Sequence, residues 1–416
     1  MAVTSCSDDD PSSVPEPVTA VEAVFGGALD LDYLPNYAKQ PVPPYIRKNN
    51  SRGKQITDAG ATLGRVLFYD KLLSVDNTVS CASCHRQELA FADDEPASEG
   101  VAGVTARHSM RLVNVQFADE VRFFWDERAS SLEDQITQPI QDHLEMGFSG
   151  ENGDPSLADL LVKLEGTDYY RELFTFVYGD PTVTRERLQD ALSQFVRSII
   201  SFDSKFDEGR AQVVDHFAPF PNFTAQENLG KQLFTTPPAL SDQGVRTGGG
   251  LACAGCHRPP EFDIDPVMQN NGVIQTISGV GTDLFVTRAP SLRDVVRADG
   301  AVNGGLMHTG GFDLDMVLAH YDLISLTGNT NLDVRLRPQG NPQRLRLTEE
   351  EKEAVKAFLR TLAGQNIYSD SKWSDPFPSP SRITKGPGTT GPQGSRKKPI
   401  HPSGTAPSPL PSFPAP

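Results

Sequence analysis

Two short runs of this chain carry residue types at a spacing that implies chemistry. Cys81-Ala82-Ser83-Cys84-His85 and Cys253-Ala254-Gly255-Cys256-His257 use four of the five cysteines. Cys-x-x-Cys-His is the attachment signature of a c-type haem. The two thiols add to the two vinyl groups of one porphyrin, and the adjacent imidazole lies under the iron as its axial ligand. A structural zinc ion would want two more ligands near each pair. A dithiol redox pair would leave the histidine after both pairs unexplained. Two covalent haems are therefore expected. Haem 1 is assigned to Cys81, Cys84 and His85, and haem 2 to Cys253, Cys256 and His257.

The elements that must position these runs are also duplicated. ITDAGATLGRVLFYD, from Ile56, precedes the first run, and FTAQENLGKQLFTT, from Phe223, precedes the second. Both read Thr, then Leu-Gly-basic, then Leu-Phe, which implies two similar units. Each predicts a helix leading into a cysteine-bearing loop, with Thr224 as an N-cap and Glu227 as its capping-box partner. LQDALSQFVRSII places Leu188, Ala191, Leu192, Phe195, Val196 and Ile199 on one helical face. LTEEEKEAVKAFLRTLAG has Thr348 as N-cap, Glu351 as the reciprocal cap, an apolar stripe of Val355, Phe358, Leu359 and Leu362, and Gly364 as its end. Strand signals are few and short. The expected fold is all-α: two cytochrome-c-like haem domains, 23–222 and 223–368, with long irregular loops.

The chain has 416 residues and 38% hydrophobic content, enough for a sizeable core. Its formal charge of -16 excludes nucleic acid, which needs a basic surface, and favours a basic protein partner. No apolar run is long enough to span a bilayer. Residues 1–22 read as a tether, acidic and rich in Ser and Pro, and 369–416 as a Pro-rich tail; both are expected to be disordered. Val3-Thr4-Ser5-Cys6 resembles the end of a bacterial lipoprotein signal, with Cys6 as the lipidated residue. Haem attachment of this type takes place outside the cytoplasm. The expected location is therefore periplasmic or cell-surface, as a membrane-anchored lipoprotein.

Two haems make an enzyme only where one iron keeps an open position beneath acid–base groups. The segment RFFWDERASSLEDQITQPIQDHLEMG, from Arg122, resembles the bacterial di-haem cytochrome c peroxidases and their relative MauG. The resemblance covers roughly residues 40–366. In that family a Phe-Trp-Asp-x-Arg-Ala run is followed by a Gln, a Pro and a Glu lining the distal pocket of haem 1. Here these are Trp125, Gln135, Pro139 and Glu145. The resemblance places Trp125 between the haems as an electron relay. Glu145 would move protons on bound peroxide, Gln135 would hold peroxide or water by hydrogen bonds, and Pro139 would keep the pocket wall in place. Taken singly, each also reads as an ordinary helix or core residue. The resemblance further implies hydrogen peroxide as oxidant, a small cytochrome c or other donor protein as partner, and a homodimer.

The family divides at the sixth ligand of haem 2, which is Met in the peroxidases and Tyr in MauG. The landmark is a Met/Phe-His-Asp-Gly motif, matched here by LMHTGGF with His308. The ligand position on the following helix falls on Tyr321, with Met307, Met316 and His320 as competitors. A phenolate would lower the iron potential. Three departures stand out. Between Arg86 and Arg107 there is no histidine to cap haem 1, so haem 1 is expected to be open, with His108 as the nearest candidate cap. His108 stands where the family has an Asn that helps to bind calcium; this puts the calcium site in doubt, though backbone carbonyls of the loop RADGAVNGG remain as donors. Leu251 stands where MauG has a surface Trp. Beside the peroxidase reading stand a MauG-like oxidase acting on a protein substrate and a non-enzymatic di-haem electron carrier.

Overall fold

Both repeated segments fold as helices, and each is crossed by a second helix at its glycine. The structure, a computed structural model, describes residues 18–264 and 266–378. Its helices are α1 (Ala20–Phe25), α2 (Asp58–Tyr69), α3 (Cys81–Cys84), α4 (Leu132–Gln141), α5 (Leu157–Glu165), α6 (Asp168–Tyr178), α7 (Arg185–Ser198), α8 (Lys205–Arg210), α9 (Ala225–Thr235), α10 (Leu314–Asp322) and α11 (Glu349–Arg360). Two antiparallel pairs, β1 (Pro238–Leu240) with β2 (Arg246–Gly249) and β3 (His257–Arg258) with β4 (Asp263–Ile264), are the strands among the described residues. Long loops join the rest, as the sequence predicts for an all-α chain. No described helix is long and apolar enough to cross a membrane.

The helix starts follow from their caps. Thr57 accepts a bond from Gly60 N at 3.0 Å, and Thr224 one from Glu227 N at 3.2 Å. Glu227 and Glu351 return bonds to the Thr224 and Thr348 amides, completing both predicted capping boxes. The crossings follow from the missing side chains. A Cβ on Gly64 would lie 2.0 Å from the Ala191 carbonyl oxygen, and one on Gly230 would lie 1.9 Å from that of Ala354. Phe195 and Phe358 are the next neighbours, each at 2.8 Å. Glycine therefore brings α2 onto α7 and α9 onto α11 at backbone distance.

Two apolar clusters result. The first gathers Leu63, Leu67 and Phe68 of α2, Leu188 and Phe195 of α7, and Tyr170 and Phe174 of α6. The second gathers Phe206, Leu233, Phe234, Phe262, Phe358 and Leu362. Phe206 and Phe220 precede residue 223 yet already belong to the second cluster, so the second core begins earlier than the boundary read from the repeat.

Packed structure also extends past both expected ends. Thr19 caps α1, whose Val21 and Phe25 are buried, so the tether stops short of residue 22. At the other end Trp373 is only 2% exposed and packs into the first cluster, and Phe377 lies 4.9 Å from Phe25. Residues 369–378 thus dock on the first cluster through Trp373 and Phe377, next to Ile367 and Tyr368, which together supply the apolar surface needed. Helix α11 ends at Arg360, before Gly364, whose amide donates to Asp294. Cys6 and residues 379–416 lie outside the described residues.

Candidate functional site

The first cysteine run forms one helical turn. Ser80 N donates to Ser83 Oγ at 3.0 Å to start it, and His85 N closes it on Cys81 O at 2.9 Å. The imidazole Nδ1 of His85 faces the Phe91 carbonyl at 3.3 Å. In the second run Cys253–Gly255 make a short 3-10 turn, and His257 opens β3 with Nδ1 2.9 Å from the Pro290 carbonyl. A carbonyl only accepts, so Nδ1 carries the proton in both rings and Nε2 is left as the ligating nitrogen. Burial pushes both imidazoles down to about 4, which keeps them neutral. Cys81, Cys84 and Cys253 are not engaged in disulfides, which leaves their sulfurs for thioether bonds.

His85 opens onto a cavity of about 950 Å³, within the range of cofactor sites. Trp125, Gln135, Pro139 and Glu145 line the same cavity, so the structure brings these four residues together around His85. Gln135 and Pro139 lie one turn apart on α4 and share a face. Pro139 has no amide hydrogen and withholds the helical bond that the Gln135 carbonyl would accept. Helix α4 is fixed to α7 by the buried Glu133–Arg197 pair at 2.7 Å and by Gln189 Nε2 donating to Thr137 Oγ1 at 3.1 Å.

Glu145 follows α4 in a turn in which its amide donates to Asp142 Oδ1 at 3.2 Å. Burial, aided by the Asp142 carboxylate, pushes its carboxyl up to about 7, with Arg128 opposing. Glu145, Asp142, Pro139 and Arg128 also border a second, polar pocket of about 470 Å³ at the surface. Glu145 therefore has the large cavity on one side and a solvent pocket on the other. Glu127 is likewise pushed up to about 7, but stands outside the cavity.

Trp125 is 7% exposed and donates Nε1–H to the His108 carbonyl at 2.7 Å. Its own carbonyl accepts from Arg288 N at 2.8 Å, two residues before the Pro290 carbonyl that holds His257. Trp125 thus lines the first site and is joined through the 288–290 segment to the second. His108 is part of the cavity wall, with Nδ1 taken by the Glu95 carbonyl at 2.9 Å. Reading motifs alone missed the ties around it: Arg107 binds Asp283 through two nitrogens, at 2.8 and 3.0 Å, and Asp126 at 2.9 Å. His308 lies edge-on to Trp125 with ring centroids 6.2 Å apart. The adjacency of Arg107 to His108 was the available signal.

At the second site Tyr321, on α10, lies within electrostatic reach of Cys253 and Cys256, with its phenol bonded to the Asn271 side chain. Burial raises its pKa first of all. Its competitors have other partners. Met316 is exposed, His320 Nε2 faces the Asn271 carbonyl at 2.9 Å, and Met307 Sδ accepts from Asn271 Nδ2 at 3.5 Å. Leu251 is buried against the second core. Among the described residues no group of three or more His, Cys, Asp or Glu side chains is arranged to hold a metal ion.

These residues fit a covalent haem at each run: two thiols, one neutral imidazole with its outer nitrogen anchored, and at the first site a cavity over the free nitrogen. The comparisons with known proteins agree. A family model described as di-haem cytochrome c peroxidase matches residues 58–212. Cytochrome c551 peroxidase of Nitrosomonas europaea is 31% identical over 328 residues, covering 73% of this chain and 80% of that protein. The methylamine utilization protein MauG of Methylophilus methylotrophus is 27% identical over 315 residues, covering 73% and 82%. The crystal structure of a MauG-like protein associated with microbial copper homeostasis superposes with a TM-score of 0.62 at 25% identity, covering 81% of this chain and 99% of that one. With the repeated attachment runs and the shared fold, this similarity means that the chain belongs to the di-haem cytochrome c peroxidase and MauG family of oxidoreductases, a membership that implies two c-type haems.

Proposed function

We propose that the protein reduces hydrogen peroxide at the His85 site, outside the cytoplasm, with electrons arriving through the His257 site from a small donor cytochrome. The observation that carries this reading is Glu145: a carboxyl pushed up to about 7, on the wall of the cavity into which His85 opens. A haem held by Cys81, Cys84 and His85 would supply the iron that binds peroxide and the electrons that cleave it. Glu145 takes the proton from the inner peroxide oxygen and returns it to the outer one. Near neutral pH it is populated in both forms, as an acid–base group must be. The adjoining surface pocket lets it exchange that proton with solvent. Gln135 holds peroxide by hydrogen bonds without adding charge, and Pro139 keeps the wall of the pocket in place. Trp125 offers an indole π-system between the two histidine centres. The overall charge of -16 suits a basic donor protein.

The two haem domains of this reading divide near residue 200, and the chain returns to the first apolar cluster from Ile367. A second reading, an oxidase that modifies a protein substrate, is favoured by Tyr321 beside Cys253 and Cys256. A phenolate there would disfavour simple electron acceptance by the second haem. Replacing Glu145 by Gln should lower peroxide turnover about 100-fold while leaving the haem absorption intact. Unchanged turnover would remove Glu145 from the mechanism.

A further inference from the structure

Away from the cavity, the first attachment run backs onto a feature that the peroxide chemistry does not use. Asp70 caps α2 and is 6% exposed. Its Oδ2 accepts hydrogen bonds from two phenols, Tyr169 at 2.6 Å and Tyr170 at 2.7 Å, while its Oδ1 accepts from Leu72 N at 2.8 Å. The two rings lie 4.6 Å apart, tilted by 42°. Tyr170 is fully buried, shares the first apolar cluster with Cys81 and lies within electrostatic reach of its sulfur. Tyr169 is partly exposed and packs edge-on against Phe25 at 5.5 Å. The row therefore runs from Cys81 through Tyr170 to Tyr169 and the surface.

Docking of α6 alone does not account for this arrangement. Phenylalanine would fill the same space, and it would not require a carboxylate to be stripped of water. A phenol gives up an electron readily only when its proton leaves at the same time, because the oxidised phenol is a strong acid. A carboxylate oxygen at hydrogen-bond distance is the acceptor for that proton. Here one oxygen serves two rings.

We propose that Tyr170 and Tyr169, sharing Asp70, form a one-electron relay from the first haem site to the surface, where small soluble reductants such as phenols or ascorbate discharge it. The proposal rests on peroxide oxidising the His85 site. Tyr170 loses one electron to that oxidised site and its phenolic proton to Asp70. Tyr169 then supplies an electron to Tyr170, Asp70 returns the proton to Tyr170, and the Tyr169 proton passes to the same carboxylate oxygen. The neutral radical now lies on Tyr169, where the reductant restores it with one electron while the carboxyl proton returns. The relay drains oxidising equivalents when no protein donor is docked.

The test is to mix the holoprotein with hydrogen peroxide in the absence of donor, freeze it, and record both the EPR spectrum and the Soret band. The wild type should show a Soret change together with a tyrosyl radical that narrows when ring-deuterated tyrosine is incorporated. Ascorbate should abolish that radical. Y170F and the double variant Y169F/Y170F should lose the signal while keeping the Soret change. D70N, which keeps both rings, should lose it as well. The same radical in the double variant, or a Soret change without any tyrosyl radical, overturns the relay and leaves the peroxide reading standing. No Soret change in the wild type overturns both. If the phenylalanine variants do not fold, mass spectrometry of the peroxide-treated wild type decides. Oxidation at Tyr169 is expected, and an untouched Tyr169 beside oxidised residues elsewhere overturns the proposal.

Discussion

In the first half of the molecule Gly64 lets α2 touch the backbone of α7 at Ala191; in the second, Gly230 lets α9 touch α11 at Ala354. The next contact is a phenylalanine in both, and both imidazoles are anchored through Nδ1 to a backbone carbonyl. Beyond the histidine the halves part. Over His85 stands α4, bearing Gln135 and Pro139, followed by a glutamate of raised pKa in a cavity with a solvent pocket behind it. Near the second pair of cysteines stands a tyrosine on α10, held by an asparagine side chain. One helical frame thus supports two environments. A segment laid across the frame, rather than the frame itself, sets what surrounds each histidine.

The sharpest way to break this comparison is to remove each histidine in turn. His85→Ala should abolish both peroxide turnover and the Soret response to peroxide. His257→Ala should lose turnover with a cytochrome donor but keep the Soret response, and identical behaviour of the two would end the division of labour. The equivalence of the frames is tested by Gly64→Val and Gly230→Val. Each should cost about 1–3 kcal/mol in denaturant unfolding, because an added side chain meets backbone in both places. A large cost at one site alone would show that the crossings differ. A smaller effect separates the sites by pH. Burial raises the Glu145 pKa above its ordinary value of 4.5 to about 7. The stability linked to its neutral form is complete below 4.5 and is lost as pH rises through about 7. The melting temperature of the wild type should therefore fall relative to Glu145→Gln over that window and run parallel to it below. The smallest effect on peroxide chemistry is expected from Tyr321→Phe. It should alter the EPR and visible spectra of the second site and leave the first-site response to peroxide unchanged. An unaltered second-site spectrum would remove Tyr321 as a ligand.

The repeat and its caps were legible because they are local. A threonine followed three residues later by a glutamate forms the same reciprocal bonds in any fold, and both Thr224–Glu227 and Thr348–Glu351 do so. The face Leu188, Ala191, Leu192, Phe195, Val196 and Ile199 is buried as its period requires. The convergence of Trp125, Gln135, Pro139 and Glu145 on one cavity was legible only through a resemblance, since no spacing within 125–145 states that these side chains will meet His85. Composition misled at residues 369–378. Proline and serine suggested a tail, whereas the sparse aromatics of that stretch docked on a surface built by residues far away. Asp70 with its two tyrosines escaped for the same reason, because its partners lie about a hundred positions along the chain.

The docking of Trp373 bears on the order in which the molecule is made. Tyr69 donates to the Trp373 carbonyl at 2.6 Å across 304 positions, Arg65 donates to the Ser374 carbonyl at 2.6 Å, and the Trp373 indole donates to the Ser198 carbonyl at 3.1 Å. A chain leaving the ribosome or a translocation pore amino end first presents all the helices of the first half long before the Trp373 segment. That half must wait, unsealed along one side, while the whole second half is delivered. Closure over so long a loop is slow and entropically costly. The interval leaves the ends of α2 and α7 that Trp373 covers open until the segment arrives. Trp373 and its neighbours then act as the latch that closes the first half.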